Sequence, residues 1–159
     1  MKKLDVEQIL KNIELSLKEK LNDKILAIDA EKNDGIVLRP VDENAYIIQS
    51  LDEFTDNFDP ALYLGIESIN TVGEYSGTAK TIRVEASVIV ADPQDKTIFS
   101  RLFRYQRALE ETFLENYFTI KNMREKVKVT SLEPVAFRVQ NSTSELKAIG
   151  VIIELNVFS

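Results

Sequence analysis

In the N-terminal part of the chain, apolar side chains recur at three- and four-residue steps from Val6 to Ile28, with Lys, Glu and Asn between them. This spacing places them on one face of a helix, and no Gly or Pro interrupts the segment. It predicts one long helix from Asp5 to Glu31, about 40 Å in length. We expect the helix to end at Asn33-Asp34-Gly35, because Gly is the usual residue just past a helix C-terminus.

Alternation with a period of two residues dominates the middle of the chain. It is clearest over residues 78–91, where alternate positions are apolar: Ile82, Val84, Ala86, Val88 and Val90. Ala61–Tyr75 is also strand-like, and the turn from Gly73 to Gly77 separates the two segments, so they should pair as a hairpin. Shorter strands are predicted at Ile36–Arg39 and Ala45–Gln49.

A second helix and a second hairpin complete the pattern. Asp92-Pro93-Gln94-Asp95 resembles a helix start, with Asp92 as the N-cap and Pro93 at the first helical position. Apolar residues at helical spacing then continue to Phe113. Lys126–Gln140 and Glu145–Phe158 predict two paired strands, and the second is apolar at nearly every position, so we expect it to be central in the sheet.

The predicted order is helix, weak strands, hairpin, helix, hairpin. It indicates an α+β fold in which two long helices pack on one face of a mostly antiparallel β-sheet. The chain has 159 residues without an internal repeat or a linker. We therefore expect a single domain over residues 1–159.

Composition narrows the chemistry that this fold could carry. The chain has no His and no Cys, which argues against zinc sites, disulfides and thiol catalysis. Glu110 and Glu111 are adjacent on the second helix, so their side chains diverge and cannot share one site. No calcium-loop spacing, Gly-rich nucleotide loop or membrane-spanning apolar run occurs. We assign no catalytic residue, metal ligand or cofactor, and expect a protein that is not an enzyme.

Charge is distributed unevenly along the chain, whose net charge is −6. The stretch from Asp29 to Glu67 has ten acidic residues against two basic, whereas residues 95–128 have eight basic against five acidic. An acidic chain without a Lys/Arg block is a poor candidate for sequence-independent duplex binding. Such asymmetry could instead align copies of one subunit.

Three arginines follow one another at i, i+3 and i+6 on the second helix. They could meet carboxylates of a neighbouring subunit, or they could be solvated or pair with Glu110 and Glu111 on their own helix. We take the first interpretation as a hypothesis. The candidate subunit interface comprises Arg101, Arg104, Arg107, Asp52, Glu53, Asp56 and Asp59.

The two hairpin turns are polar and are candidates for contact with other proteins, although ordinary exposed turns would look the same. The candidate partner-contact residues are Glu74, Tyr75, Ser76, Asn141, Ser142, Thr143 and Ser144.

Several segments, read in order, resemble the tail terminator (tail completion) family from the head–tail junction of long-tailed bacteriophages. They are residues 60–66 (PALYLGI), 104–111 (RYQRALEE), 129–137 (VTSLEPVAF) and 148–155 (AIGVIIEL). The likeness is one of pattern and order, and covers residues 5–158.

The resemblance implies a small α+β subunit of the virion, assembled in the host cytoplasm. It implies a hexameric ring that caps the tail tube, stops its growth and joins it to the neck. The partners would be further copies of the chain, the tail tube protein and neck or connector proteins. DNA would pass through the ring without specific binding, and no membrane or cofactor would be involved.

Two alternatives stay open. Another head–tail connector or a head-completion protein would share this composition. A small cytosolic ligand-binding domain or enzyme would need a concave pocket with convergent polar groups.

Overall fold

Two helices and six strands are present in the computed structural model, which describes residues 6–48, 59–74, 77–90, 96–115, 118–119, 126–140 and 145–158. The elements are α1 (Val6–Lys32), β1 (Tyr46–Ile48), β2 (Ala61–Glu74), β3 (Gly77–Val90), α2 (Ile98–Glu115), β4 (Phe118–Thr119), β5 (Lys126–Gln140) and β6 (Glu145–Phe158).

The strands form one sheet in the order β1-β2-β3-β6-β5-β4. Strand β1 is parallel to β2, and every other neighbouring pair is antiparallel. Both predicted hairpins are confirmed, and β5 and β6 have the predicted bounds. The central position of β6, between β3 and β5, is also confirmed.

The core lies between one face of the sheet and the two helices. On this face, alternate residues of β3 pair with alternate residues of β6, as in Val84 with Ile153 and Ala86 with Val151, and all four are fully buried. Helix α1 contributes its predicted apolar stripe from Ile9 to Ile28 to the same cluster. The predicted α+β class, with two helices on one face of a mostly antiparallel sheet, is confirmed.

The opposite face of the sheet carries charged and polar residues near the β2–β3 turn. Arg83 on β3 lies between two carboxylates from the neighbouring strands, with Nε 2.8 Å from Glu67 and Nη1 3.4 Å from Glu154. Residues 81, 83 and 85 of β3 point to this face and are only partly buried. This accounts for the alternation of apolar and polar residues in β3.

Helix α1 ends at Lys32, one residue beyond the predicted end. The next residue, Asn33, has a left-handed backbone with φ of 41°, and its N–H donates to the Asp29 carbonyl at 3.1 Å. Gly35 is also left-handed, with φ of 83°. The sequence Asn33-Asp34-Gly35 therefore ends the helix as predicted, and Asn rather than Gly occupies the position directly after it.

The strand predicted at Ile36–Arg39 is wrong. This segment is irregular and runs along α1, whose polar side chains bind its backbone. The Leu38 N–H donates to Asp29 Oδ1 at 3.0 Å. Asn22 both accepts from the Val41 N–H at 2.9 Å and donates to the Val41 carbonyl at 3.0 Å. Since the helix supplies these partners, the segment stays outside the sheet.

The strand predicted at Ala45–Gln49 is confirmed in its centre as β1. Gln49 lies outside the described residues. The short strand β4, which pairs with the start of β5, was not predicted. Two residues are too few to show a periodic pattern.

Helix α2 begins at Ile98, and the predicted start at Asp92 and Pro93 lies outside the described residues. Lys96 and Thr97 form a turn, and the Arg101 N–H donates to the Thr97 carbonyl at 3.0 Å. Thr97 therefore occupies the N-cap position, where Thr is a favoured residue. Residues 91–95 lie outside the described part of the chain.

Candidate functional site

The arginine row predicted from the sequence lies on α2, beside the C-terminal part of α1. The opposite flank of the row, formed by Leu102, Tyr105 and Leu109, is buried against the sheet. The three arginines therefore lie where α2 packs against the end of α1, the turn that follows it and the residue just before β2. Each arginine has an acidic partner within its own chain.

Arg101 is the innermost member of the row and is buried. Its Nη2 lies 3.5 Å from Oδ1 of Asp59, which stands just before β2. Tyr105, one turn further along α2, donates its hydroxyl to the Arg39 carbonyl at 2.8 Å. Burial raises the pKa of the Tyr105 hydroxyl, and the nearby Arg101 opposes that shift. These contacts attach α2 to the entry of β2 and to the segment after α1.

Arg104 binds the turn after α1 through both terminal nitrogens. Nη1 donates to Oδ1 of Asp34 at 2.9 Å, and Nη2 pairs with Oδ2. This is the fork-to-fork geometry that suits guanidinium and carboxylate. The hydrogen bond from Arg104 lowers the pKa of Asp34 to about 2, with a further contribution from the Ile36 N–H, which donates to the same carboxylate at 3.3 Å.

Arg107 bridges the last turn of α1 and its own helix. Its two terminal nitrogens donate to the two carboxylate oxygens of Glu31 at 3.2 and 2.8 Å. Its Nε donates to Glu111 at 2.9 Å. Hydrogen bonding to Arg107 lowers the pKa of Glu31, and in turn Glu31, with Glu111 as second contributor, raises the pKa of Arg107.

The predicted interface residues therefore meet only in part within one subunit. Arg101 and Asp59 form a pair inside the chain. Asp52, Glu53 and Asp56 lie outside the described residues. Pairing between neighbouring subunits remains a prediction. The intrahelical pairing considered as the alternative is present for Arg107 with Glu111.

Two partners of the row, Glu31 and Asp34, were not singled out from the sequence. Asp34 is 70 residues from Arg104 along the chain, and Glu31 is 76 residues from Arg107. In the sequence, the excess of acidic residues from Asp29 onward indicated that carboxylates could balance the arginines of α2. It did not indicate which carboxylates would contact them.

The predicted partner-contact turns join the expected strands. Glu74 ends β2, whereas Tyr75, Ser76 and the residues 141–144 lie outside the described residues. The strand register places Glu74 and Gln140, the last described residues before the two turns, at opposite ends of the sheet, since Ala79 pairs with Phe158 and Val90 pairs with Lys147. At about 3.3 Å per residue, the length of β3 separates them by roughly 40 Å.

The described residues also bear on two other kinds of site. No group of three or more acidic, His or Cys side chains comes together there in a way that could hold a metal ion. Neither helix, over the same residues, is long and apolar enough to cross a membrane.

Comparison with known proteins places this architecture among solved structures. No family model and no curated protein matches the sequence. The fold is similar to that of a chain in the structure described as "Virion of native gene transfer agent (GTA) particle", with a TM-score of 0.51 and 12% sequence identity. The match covers 90% of this chain and 95% of that chain. At this identity, what the two chains share is the fold.

Proposed function

We propose that this protein is a structural component of a phage-like particle, located at the junction between tail and head. In this proposal a ring of about six subunits caps the tail tube, stops its growth and joins it to the neck. The observation that carries the proposal is the end-to-end correspondence of fold with a chain of a gene transfer agent virion, 90% of one chain against 95% of the other. The resemblance of the sequence to the tail terminator family supports the finer position.

Closure of a ring needs two different surfaces on each subunit, one matching the other on the next copy. The two faces of this subunit differ, because helices cover one face of the sheet and the opposite face carries the ion pairs of Arg83. The partners in the proposal are further copies of the chain, the tail tube protein and neck proteins. DNA passes through the ring without being bound specifically.

Within the proposed interface, Arg107 is the arginine best placed to reach a neighbouring subunit. Its side chain is 39% exposed, against 11% for Arg104 and 9% for Arg101. A guanidinium that stays partly exposed can bind a further carboxylate in addition to Glu31 and Glu111, whereas one buried against its partner cannot. We therefore retain the predicted salt bridges between subunits mainly for Arg107, facing the acidic residues 52–59 of the next copy.

The first experiment is the solution mass of the purified protein, measured by light scattering across protein and salt concentration, with electron microscopy of any large species. Closed rings of about six subunits are expected, either for the protein alone or after addition of tail tubes from the particle that contains it. A monomer that stays monomeric and does not bind tube ends would contradict the proposal.

The position in the particle separates the terminator from other junction proteins. Cells that assemble particles without this protein should produce tails of uncontrolled length that are not joined to heads. Tails of normal length with a defect confined to the heads would favour the alternative, a head-completion protein.

Reversal of Arg107 tests the interface. Arg107→Glu should weaken ring formation while the subunit stays folded, because an exposed ion pair contributes little to the stability of a fold. Lys11→Glu, at an exposed position on α1, is the matched charge reversal and should leave assembly unchanged. Equal assembly of the Arg107 variant and the wild-type protein would exclude this part of the interface.

A further inference from the structure

The outer edge of β5 is long and, in the part of the chain that the structure describes, mostly without a paired strand. On its inner side β5 pairs with β6 from Lys128 to Gln140. On its outer side only Lys126 and Val127 pair with a described strand, β4. An edge of this length can template the addition of a strand from another chain.

The close approach of β6 to β3 shows which way the backbone groups of β5 point. Gly150 lies opposite Ser87, and a Cβ built on Gly150 would lie 2.5 Å from the Ser87 Cα and against the Ala86 carbonyl oxygen. The Ala86 carbonyl is therefore directed at β6, and Gly150 and Ser87 form a non-hydrogen-bonded pair. The N–H of Gly150 consequently points to the other side, toward Val135 on β5, while its carbonyl oxygen accepts from Gln106 Nε2 of α2 at 3.1 Å.

Alternation along β5 then fixes the direction of its other amides. Val135 and Phe137 direct their N–H groups inward, toward β6, whereas positions 132, 134 and 136 direct theirs outward. Position 134 is a proline, which has no N–H. The proline therefore removes no hydrogen bond between β5 and β6, and removes one donor from the middle of the outer edge.

A second irregularity lies on the same strand. The register of β5 against β6 shifts between Val129 and Ser131. Bulges and edge prolines are two devices by which natural sheets avoid pairing edge to edge. Here both occur within one edge.

We propose that Pro134 closes the outer edge of β5 to strand addition by a second copy of this chain, so that copies associate through other surfaces. A second copy is the relevant partner because every copy presents the same edge, and two identical edges can pair antiparallel about a twofold axis. The inference concerns the fold alone and does not depend on the proposed function.

Restoring the missing donor tests the proposal. Pro134→Val supplies an outward N–H and a residue that favours strands. We expect its weight-average mass in light scattering to rise with concentration, about twofold or more above that of the wild-type protein under the same conditions. An unchanged mass at every concentration would overturn the proposal.

The matched control moves the proline along the same edge. Ala136 also directs its N–H outward, so Pro134→Val combined with Ala136→Pro removes an outward donor again without removing a bond to β6. This double variant should return to the mass of the wild-type protein. If it associates as strongly as Pro134→Val, edge protection is not the cause.

Hydrogen exchange of the wild-type protein provides a test that does not depend on how the variants fold. The amides of Leu132 and Ala136 should exchange roughly tenfold faster or more than those of Val135 and Phe137. Equal protection of both sets would mean that the outer edge is covered, and would overturn the proposal.

Discussion

At the scale of single residues, the carboxylates of Asp29 and Asp34 bind the backbone of the segment that follows α1. Asp29 lies in the last turns of α1 and accepts the Leu38 N–H at 3.0 Å, while Asp34 accepts the Ile36 N–H and binds Arg104. Each carboxylate therefore satisfies a backbone N–H in a segment that forms no hydrogen bonds with a neighbouring strand. The arginine of α2 adds a second attachment for the same turn.

The Arg104–Asp34 pair should make stability depend on acid pH. The pKa of Asp34 falls from an ordinary 3.8 to about 2 in the folded protein. A carboxyl with a lowered pKa contributes stability that is present above its unfolded-state pKa and is lost as the pH falls through the folded value. The contribution should therefore be complete above about pH 4 and disappear toward about pH 2.

Urea unfolding of Arg104→Gln against the wild-type protein checks this dependence. The variant should be less stable near neutral pH, and the difference should shrink as the pH falls through that window. Arg104→Lys, which keeps the charge and loses the fork, should lie between the two. A difference that stays constant with pH would show that the pair with Asp34 is not its source.

Two strand glycines should respond differently to the same substitution. In Gly150→Ala the added methyl meets backbone of β3, with the Ser87 Cα at 2.5 Å, so the strands have to separate. In Gly65→Ala it meets the end of the Tyr63 ring, with Cζ at 2.7 Å, and this side chain can rotate away. Gly150→Ala should cost about 1–3 kcal/mol of unfolding free energy, and Gly65→Ala less. A larger loss for Gly65→Ala in denaturant unfolding would contradict this account.

At the scale of elements, α1 packs against the sheet and also binds the irregular segment 36–41, which belongs to no helix or strand. Its apolar stripe enters the core, while Asn22 and Asp29 on its flank bind the backbone of residues 38–41. Leu38 and Val41 are buried by this arrangement. The irregular segment is thus held as a strand would be, with helix side chains in place of a neighbouring strand.

Removing the Asn22 amide tests how much this attachment contributes. Asn22→Ala leaves the N–H and C=O of Val41 without their partners in a partly buried position. The expected loss is about 1–3 kcal/mol of unfolding free energy, measured in urea. Lys11→Ala, at an exposed position on the same helix, should change stability by no more than about 0.5 kcal/mol. Equal effects of the two substitutions would exclude a structural role for the amide.

At the scale of the whole molecule, one core connects both helices and three of the four long strands, β2, β3 and β6. Its buried residues come from α1, from the irregular segment before β1, from β2, β3, α2 and β6. Both hairpins join through β3 and β6, which pair over residues 79–90 and 147–158. Strands and helices that share one core are expected to unfold together.

The chain should therefore unfold as a single domain. Heating should give one calorimetric transition that coincides with loss of helix in circular dichroism, with the calorimetric enthalpy equal to the van't Hoff enthalpy. Two resolved transitions would contradict the prediction of one domain over residues 1–159. The measurement should be made at a concentration where the oligomeric state is known, since assembly also shifts the transition.

Helices and strands with a local hydrophobic pattern can be predicted from the amino-acid order alone. Strands β5 and β6 have the predicted bounds, and α1 ends within one residue of its prediction, because burial on one face imposes a period that neighbouring residues display. The sequence also predicted correctly that the last strand is central, since that strand is apolar at nearly every position from Ala148 to Ile153.

The pairing of polar groups, by contrast, depends on how the elements pack in three dimensions. Ile36–Arg39 has the composition of a strand, yet α1 side chains bind the segment and keep it out of the sheet. The arginines of α2 were recognised as a row, but their partners Glu31 and Asp34 are about seventy residues away along the chain. Periodicity records which face of an element is buried, whereas the partner of a charged side chain depends on how distant elements pack together.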